Sequence, residues 1–459
     1  MSTQNTTILI GLGLYALLMV VIGLWGARKE TAEGFVIGSR DVGYIPTMSS
    51  LATGFRDGSG LVFWVGAGAT FIFGGLLSLL GGVLFGLLFF SFVGPRVRRM
   101  AKKRSYITIG QIIRDELGGR TEKVSSFIVA AFSIVLISVQ LFVSGNLISA
   151  ISPLSSEVSI VLVGFIVALY MFFGGYGNVI KTDVIQFFLV VSLIFLPFFI
   201  DIDLSVFLEP ANYKGYGTSM DITFFLMGMF YIVVSSDAWQ RLFSARNKKV
   251  VRYGFPSAVI PLVIMTMSLF FLGVAARELL PADTEWGNAF FQLYEFSALP
   301  PFILAYVAVV CVAITMSTMD TLCYLSASTF LKNILPESYT EKRGGYVKLT
   351  RVAIIVVLAL SAFMATTIGD VIKYIFDAVS LLFVLAPLYV LAGMGYLRKS
   401  ARLDSMIAIS LIVSASIYIY MFTHNHFQEL IMIYVPTVIC AVLTVGAVIS
   451  DCTARKART

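Results

Sequence analysis

Leu51-Ala-Thr-Gly-Phe-Arg-Asp-Gly-Ser-Gly60 is the stretch on which the fold turns. It puts an arginine, an aspartate and three glycines in the middle of an apolar run reaching from residue 44 to residue 70. A charged side chain at bilayer depth costs about 2.5–3.5 kcal/mol on insertion scales and marks a pathway or a paired site. Neighbouring residues on a regular helix point in different directions, so Arg56 and Asp57 cannot neutralise one another on an unbroken one. Glycines at 54, 58 and 60 weaken the helix and permit an unwound turn. Such a turn frees backbone carbonyls, which are hard oxygen ligands for a cation. It is tolerated at that depth only where it is buried in protein or lines a cavity. A tight helix crossing would also use glycines, but it leaves the two charges without a purpose.

The solvent around this stretch is lipid. Of 459 residues, 58% are hydrophobic and 13% charged, with a mean hydropathy of +0.90; a soluble domain carries about 25% charged residues. A bilayer core about 30 Å thick needs roughly 20 apolar residues of helix. Runs of that scale lie near 7–26, 44–70, 74–94, 125–150, 157–175, 182–200, 221–243, 254–276, 300–333, 350–368, 371–396, 404–422 and 429–449. They predict an all-α integral membrane protein of about thirteen spans. The connectors are short and no linker divides the chain, so a single transporter-sized membrane domain over 1–459 is expected. Residues 1–7 contain no Lys or Arg and the first run is long enough to span, which predicts no cleavable signal peptide.

Charge gives an independent test. With the N-terminus outside and the spans alternating, all of the 33 basic residues except Arg56, Lys214, Arg277 and Lys373 fall in inner loops, Arg98 and Arg241 among them. A wrong helix count would scramble that segregation. The expected topology is multi-pass in the plasma (inner) membrane, N-terminus outside and C-terminus cytoplasmic. The basic residues anchor loops near anionic inner lipid, and nucleic-acid binding is not needed to explain them. Cys311, Cys323, Cys440 and Cys452 lie in or beside apolar runs without metal-ligand spacing, and read as free buried thiols. His424 and His426 share one short loop, which argues against a metal or proton relay. No nucleophile–base pair suggests an enzyme.

A second polar cluster lies in the ninth run, Ala313-Ile-Thr-Met-Ser-Thr-Met-Asp-Thr321. Ser317 and Thr321 are four apart and share a helix face; Asp320 is three from Ser317 and nearly does. Any one hydroxyl can bond its own helix backbone harmlessly. Thr315, Ser317, Thr318 and Thr321 together with a carboxylate point to a cation, and to an alkali ion rather than zinc, which prefers His or Cys. Asp183, with Gln186 one turn on, is either a site residue or an acid at the inner membrane boundary. Gln140 either contacts solute or bonds a neighbouring helix. Asp377, four after Lys373, reads as an ordinary helical ion pair.

These clusters carry a family likeness. The chain resembles the sodium/solute symporter family, whose members import proline, pantothenate, sialic acid or sugars. The likeness runs from Glu33-Gly-Phe-Val-Ile-Gly-Ser-Arg40 through Asp57-Gly-Ser-Gly60, Phe173-Gly-Gly175 with Thr182-Asp-Val-Ile-Gln186, Asp237-Ala-Trp-Gln-Arg-Leu-Phe-Ser-Ala-Arg246 and Met316-Ser-Thr-Met-Asp320 to the eleventh span. The resemblance implies a LeuT-like fold: an extra N-terminal helix (7–26), two inverted five-helix repeats (44–200 and 221–396), each opening on a broken helix, and two C-terminal helices (404–449). It implies a sodium ion held by the carbonyls of Phe55, Gly58 and Ile314 and the hydroxyls of Ser317 and Thr318, with Asp57 beside it. A second sodium or coupling site would use Asp183, Ser317, Asp320 and Thr321. Asp320 departs from the sialic acid transporters, which carry serine there. Tyr231 falls where sugar-transporting members place an inner gate over the solute.

The expected function is sodium-coupled import of a small polar solute by alternating access, in a monomer. Arg56 is the candidate for a solute carboxylate, since a guanidinium holds one bidentately; this leans the solute toward an amino acid or small carboxylate. Gln140 and Tyr231 complete the expected solute contacts. Two alternatives stand: a transporter-shaped sensor acting through a separate signalling partner, and proton coupling through Asp57 or Asp320.

Overall fold

Each apolar run carries helix. The computed structural model describes residues 3–27, 37, 40–70, 73–173, 175–192, 195, 205, 208, 217–281, 289–296, 300–336, 345–424 and 430–456. Among these the only strand-like pairing is an isolated bridge between Val42 and Ala245. The first half comprises α1 (Thr3–Ala27), α2 (Tyr44–Gly54), α3 (Gly58–Ala69), α4 (Phe73–Arg104), a short connecting α5 (Ile109–Glu116), α6 (Gly119–Ile151), α7 (Ser156–Phe173) and α8 (Tyr176–Val191). The second comprises α9 (Thr218–Val234), α10 (Ser236–Ser244), α11 (Lys248–Ser257), α12 (Val259–Leu279), a short α13 (Ala289–Phe296), α14 (Pro301–Thr329), α15 (Tyr346–Ala365), α16 (Val371–Phe383), α17 (Ala386–Met394), α18 (Ala401–Thr423) and α19 (Val435–Lys456).

By length and apolarity, nine stretches of described helix can cross a membrane, or eleven if the bent pairs α9–α10 and α16–α17 each count as one span. The two remaining runs of the expected thirteen fold as the short broken pair α2–α3 and the 16-residue α8. The run expected at 371–396 is not straight: α16 and α17 meet at 45°. Pro387 has no N–H for the carbonyl of Phe383 and its ring clashes there, which bends the helix at 384–385.

Lipid and protein faces follow burial. α14 is the centre: from 310 to 329 every residue is buried. A helix apolar or small on all sides with no exposed face belongs inside a bundle. By contrast Leu14, Leu17, Phe92 and Phe363 present large apolar surface outward, as lipid-facing positions should.

Glycine brings two helix pairs into backbone contact. A Cβ on Gly68 of α3 would strike the carbonyl of Phe270, and one on Gly273 of α12 the carbonyl of Val65. Likewise Gly82 of α4 abuts the carbonyl of Phe225, and Gly228 of α9 that of Leu79. Close approach through small residues is how helices associate without a hydrophobic drive between them. Gly68→Leu should therefore destabilise the detergent-solubilised protein by about 1–3 kcal/mol, the cost of overpacking, read as a lowered melting temperature. An unchanged melting temperature would mean that α3 and α12 are not locked.

Three expectations are corrected. Arg241 and Arg98 do not lie in solvated inner loops: they are 2% and 3% exposed. Cys452 is exposed, whereas the other three cysteines are buried. Most of the 33–40 motif, Gly174, His426 and residues 196–200 lie outside the described residues.

Candidate cation and solute site

The glycine-weakened stretch is unwound where the sequence places the weakness. α2 ends at Gly54 and α3 starts at Gly58, with Phe55 at φ −91°, ψ 0° and Asp57 extended at φ −100°, ψ 175°. Asp57 caps α3: its carboxylate accepts from the Gly60 N–H at 2.7 Å and from the Ser59 hydroxyl. This is the normal duty of an N-cap aspartate, and it places a negative charge at the positive end of the helix. The Tyr231 hydroxyl reaches the other carboxylate oxygen at 3.4 Å.

Glycine is required at both ends of the break by what lies against it. A Cβ at Gly58 would stand 2.8 Å from Gln140 Oε1 and 2.8 Å from Thr315 Cγ2. One at Gly54 would stand 2.7 Å from an Arg241 nitrogen. Gln140 accepts from the Gly58 N–H at 2.6 Å, bracing the start of α3. The break therefore faces α6 and the 315–321 turns of α14. Thr315 is tied to α6 by a 2.6 Å bond from Ser144.

On α14 the two adjacent hydroxyls differ. Ser317 donates to Asp183 at 2.5 Å. Thr318 is 3% exposed and its Oγ1 finds no hydrogen-bond partner among the described residues. Buried hydroxyls without partners are costly and call for an explanation; service as a cation ligand is one. Thr318 lines a cavity of about 30 Å³ together with Gly54, Tyr231, Ser235, Ser236, Asp237 and Thr321. That is room for a dehydrated ion or one to two waters. Ile314 is buried one residue before Thr315, on the turn that faces the break.

Asp183 is fully buried, and both of its oxygens have partners. Its Oδ2 accepts from Ser50 at 2.5 Å and faces an Arg241 nitrogen at 3.4 Å. Arg241 also donates to Ser50 at 2.7 Å, reaches Thr321 Oγ1 at 3.3 Å and is ion-paired with Asp237. Asp183, Ser317 and Thr321 are thus brought together, but around a guanidinium. Among the described residues, no hydrogen bond brings Asp320 to them. It accepts from Tyr170 of α7, and its second oxygen finds no partner among the described residues.

A larger cavity of about 110 Å³ opens on the other side of Tyr231. Arg56, Asp57 and Ser59 are its polar wall; Phe63, Trp64, Met227, Ile375 and Phe376 form much of the rest. The Arg56 guanidinium lies 5.5 Å from the Trp64 ring and donates to the Leu262 carbonyl at 3.4 Å, and its buried Nε has no partner among the described residues. Mostly apolar walls with a few convergent polar groups are the usual lining of a small-molecule site.

Sequence reasoning missed Ser50, Tyr170, Asp237 and Arg241 as site residues. Arg241 is separated from Asp183 by 58 positions and from Ser50 by 191, so nothing local signals the cluster. The second helix break, at Ser235 between α9 and α10 with a 46° bend, has neither glycine nor proline to announce it.

Three comparisons bear on this arrangement. The family model described as the sodium:solute symporter family matches residues 35–402. Among curated relatives, the high-affinity choline transporter 1 of Drosophila melanogaster is 24% identical over 80% of this chain and 63% of its own length. A sodium/proline symporter of Staphylococcus aureus (strain Newman) is 26% identical over 46% of this chain and 41% of its own length. The chain therefore spans less than two thirds of the length of either relative. Among solved structures, a Na+-coupled sialic acid symporter in a substrate-bound outward-open state superposes with a TM-score of 0.76 at 18% identity, covering 97% of this chain and 96% of that one. A nucleobase-cation-symport-1 family transporter in a closed conformation gives 0.60 at 16% identity, over 90% and 93%. At these identities the likeness establishes the fold, the LeuT-like all-helical transporter architecture.

Proposed function

The chain belongs to the sodium:solute symporter family, and from that premise we propose that it imports a small polar solute together with sodium. The observation that carries the reading is the Thr318 hydroxyl, buried and unpartnered among the described residues on α14, in a cavity it shares with Gly54 at the end of α2. Sodium there would take the carbonyls of Phe55, Gly58 and Ile314 and the hydroxyls of Ser317 and Thr318. Oxygen ligands of this kind suit a hard cation. Asp57 supports the turn as the cap of α3.

By bridging α2–α3 to α14, the ion holds the break in the shape that lines the larger cavity, and so orders the solute site. Ion and solute are then linked: each raises the affinity for the other. Each sodium moving inward releases about 2.3 kcal/mol per 100 mV, enough for tens-fold accumulation. The solute reading leans on Arg56: a guanidinium held over Trp64, with donor capacity to spare, suits a carboxylate. An amino acid or small carboxylate with an apolar body fits the walls. Tyr231, between the two cavities, is suited to gate the solute from the inner side.

The contacts support the repeat boundaries proposed for 44–200 and 221–396. The halves of one broken helix, α2 and α3, pack on α11 and α12, and the halves of the other, α9 and α10, pack on α4. Each broken helix thus packs on the helix that follows its counterpart, the reciprocal pattern that a pseudo-twofold axis in the membrane plane requires. The proposed topology has the N-terminus outside, the C-terminus cytoplasmic, thirteen spans and a monomeric unit.

Counterflow in proteoliposomes tests the function, with labelled amino acids, carboxylates and sugars in turn, with and without sodium. Sodium-dependent exchange of a carboxylate-bearing solute is expected. Exchange driven by pH and indifferent to sodium would replace this reading by proton coupling, and binding without flux by a sensor.

A further inference from the structure

Asp183, Ser317 and Thr321 form a pocket of oxygens of the kind a second cation would use, yet a cation of the chain itself already stands in it. The Arg241 side chain is 2% exposed. Its Nε donates to Ser50 at 2.7 Å, and one terminal nitrogen lies 3.4 Å from Asp183 Oδ2 and 3.3 Å from Thr321 Oγ1. The other terminal nitrogen is paired with Asp237, four residues earlier on α10. Ser317 and Ser50 donate to the two oxygens of Asp183 at 2.5 Å each. An entering ion would have to displace these donors and sit against a guanidinium that does not deprotonate in proteins.

Charge within the cluster leads to the same place. Arg241 balances one of the two carboxylates Asp183 and Asp237, both nearly or fully buried. One negative charge is left over. Asp237 lines the small cavity that also contains Thr318 and Gly54, so a single sodium ion at the break completes neutrality. Within that cluster a second ion would have no carboxylate left to balance it, which is costly; Asp320, the remaining buried acid of this stretch of α14, is turned to Tyr170 of α7 instead.

We propose that Arg241 is a tethered counter-cation occupying the second-ion position, so that this cluster binds one sodium ion and not two. The inference rests on the sodium reading above and adds the number of ions and the residue that sets it. Arg241 acts here as a positioning residue: it excludes an ion without touching the solute.

Equilibrium binding of radioactive sodium to the purified full-length protein, with no solute present, tests it. One ion per chain with a Hill coefficient of 1 is expected. Two ions per chain, or a Hill coefficient approaching 2, would overturn the inference while leaving sodium coupling intact; no saturable binding would sink both. Arg241→Gln is expected to admit a second ion, doubling the bound sodium. A folded Arg241→Gln protein that still binds one ion would show that the guanidinium is not what excludes the second. Should that variant fail to fold, the charge-balanced Arg241→Gln/Asp183→Asn pair is expected to keep one ion. Loss of that ion would make Asp183 its ligand and end the proposal.

Discussion

Thr318→Val is expected to raise the sodium concentration for half-maximal uptake by about 10- to 100-fold and to leave the melting temperature unchanged or slightly higher. The two readouts separate because the Thr318 hydroxyl makes no hydrogen bond among the described residues. Valine keeps the shape of threonine and removes an orphaned polar group, a change that is neutral or stabilising in a folded protein. The sodium ion alone would miss the oxygen. A ligand to a charged group is worth roughly 1.5–3 kcal/mol, and 1.4 kcal/mol is a factor of ten. Ser317→Ala makes the contrasting case, since that hydroxyl donates to Asp183 at 2.5 Å; it should lose both sodium affinity and stability. Sodium dependence of uptake unaltered in Thr318→Val would remove the hydroxyl from the ion site. It would leave its burial unexplained.

Arg56→Ala should raise the apparent solute constant by about 10- to 100-fold while moving the sodium constant by less than about threefold, the range set by a charge-assisted, bidentate bond. Arg56 is already positioned, by the Trp64 ring at 5.5 Å and the Leu262 carbonyl at 3.4 Å, so its removal costs the solute a preorganised partner. Arg56→Lys should fall between the two, because an ammonium cannot present the planar fork. The measurement is uptake as a function of solute at saturating sodium, then the reverse. Equal rises in both constants would assign Arg56 to holding the break rather than the solute.

How far the sequence could be read differs from residue to residue. The break at 55–57 was legible because glycines and charges interrupt an apolar run, and both signals are local. The α14 cluster was legible because five polar residues fall within two turns. The bend at 384–385 had a local cause in Pro387 but was hidden inside a long apolar run. The break at Ser235 left no local mark; it depends on what α9 and α10 pack against. Arg241 was misread for a different reason. It lies five residues before Arg246 and seven before Lys248, and positional statistics assign such a residue to the inner loop. Only the meeting of α2, α8, α10 and α14 turns it inward. The same meeting separates Asp320 from Ser317: three positions apart on the helix, one bonds α8 and the other α7.

The backbone-to-backbone seams at Gly68–Phe270 and Gly82–Phe225 have a mechanical corollary. Two helices meshed at their main chains have no slack side chains to re-rotamer, so each such couple travels as one stiff body. Freedom to slide is left to joints made of hydroxyls, small cavities and single hydrogen bonds. The line between the unwound turn and α14 is a joint of that sort, so an ion bound where we propose would sit at the hinge, and its arrival and departure would time the stroke.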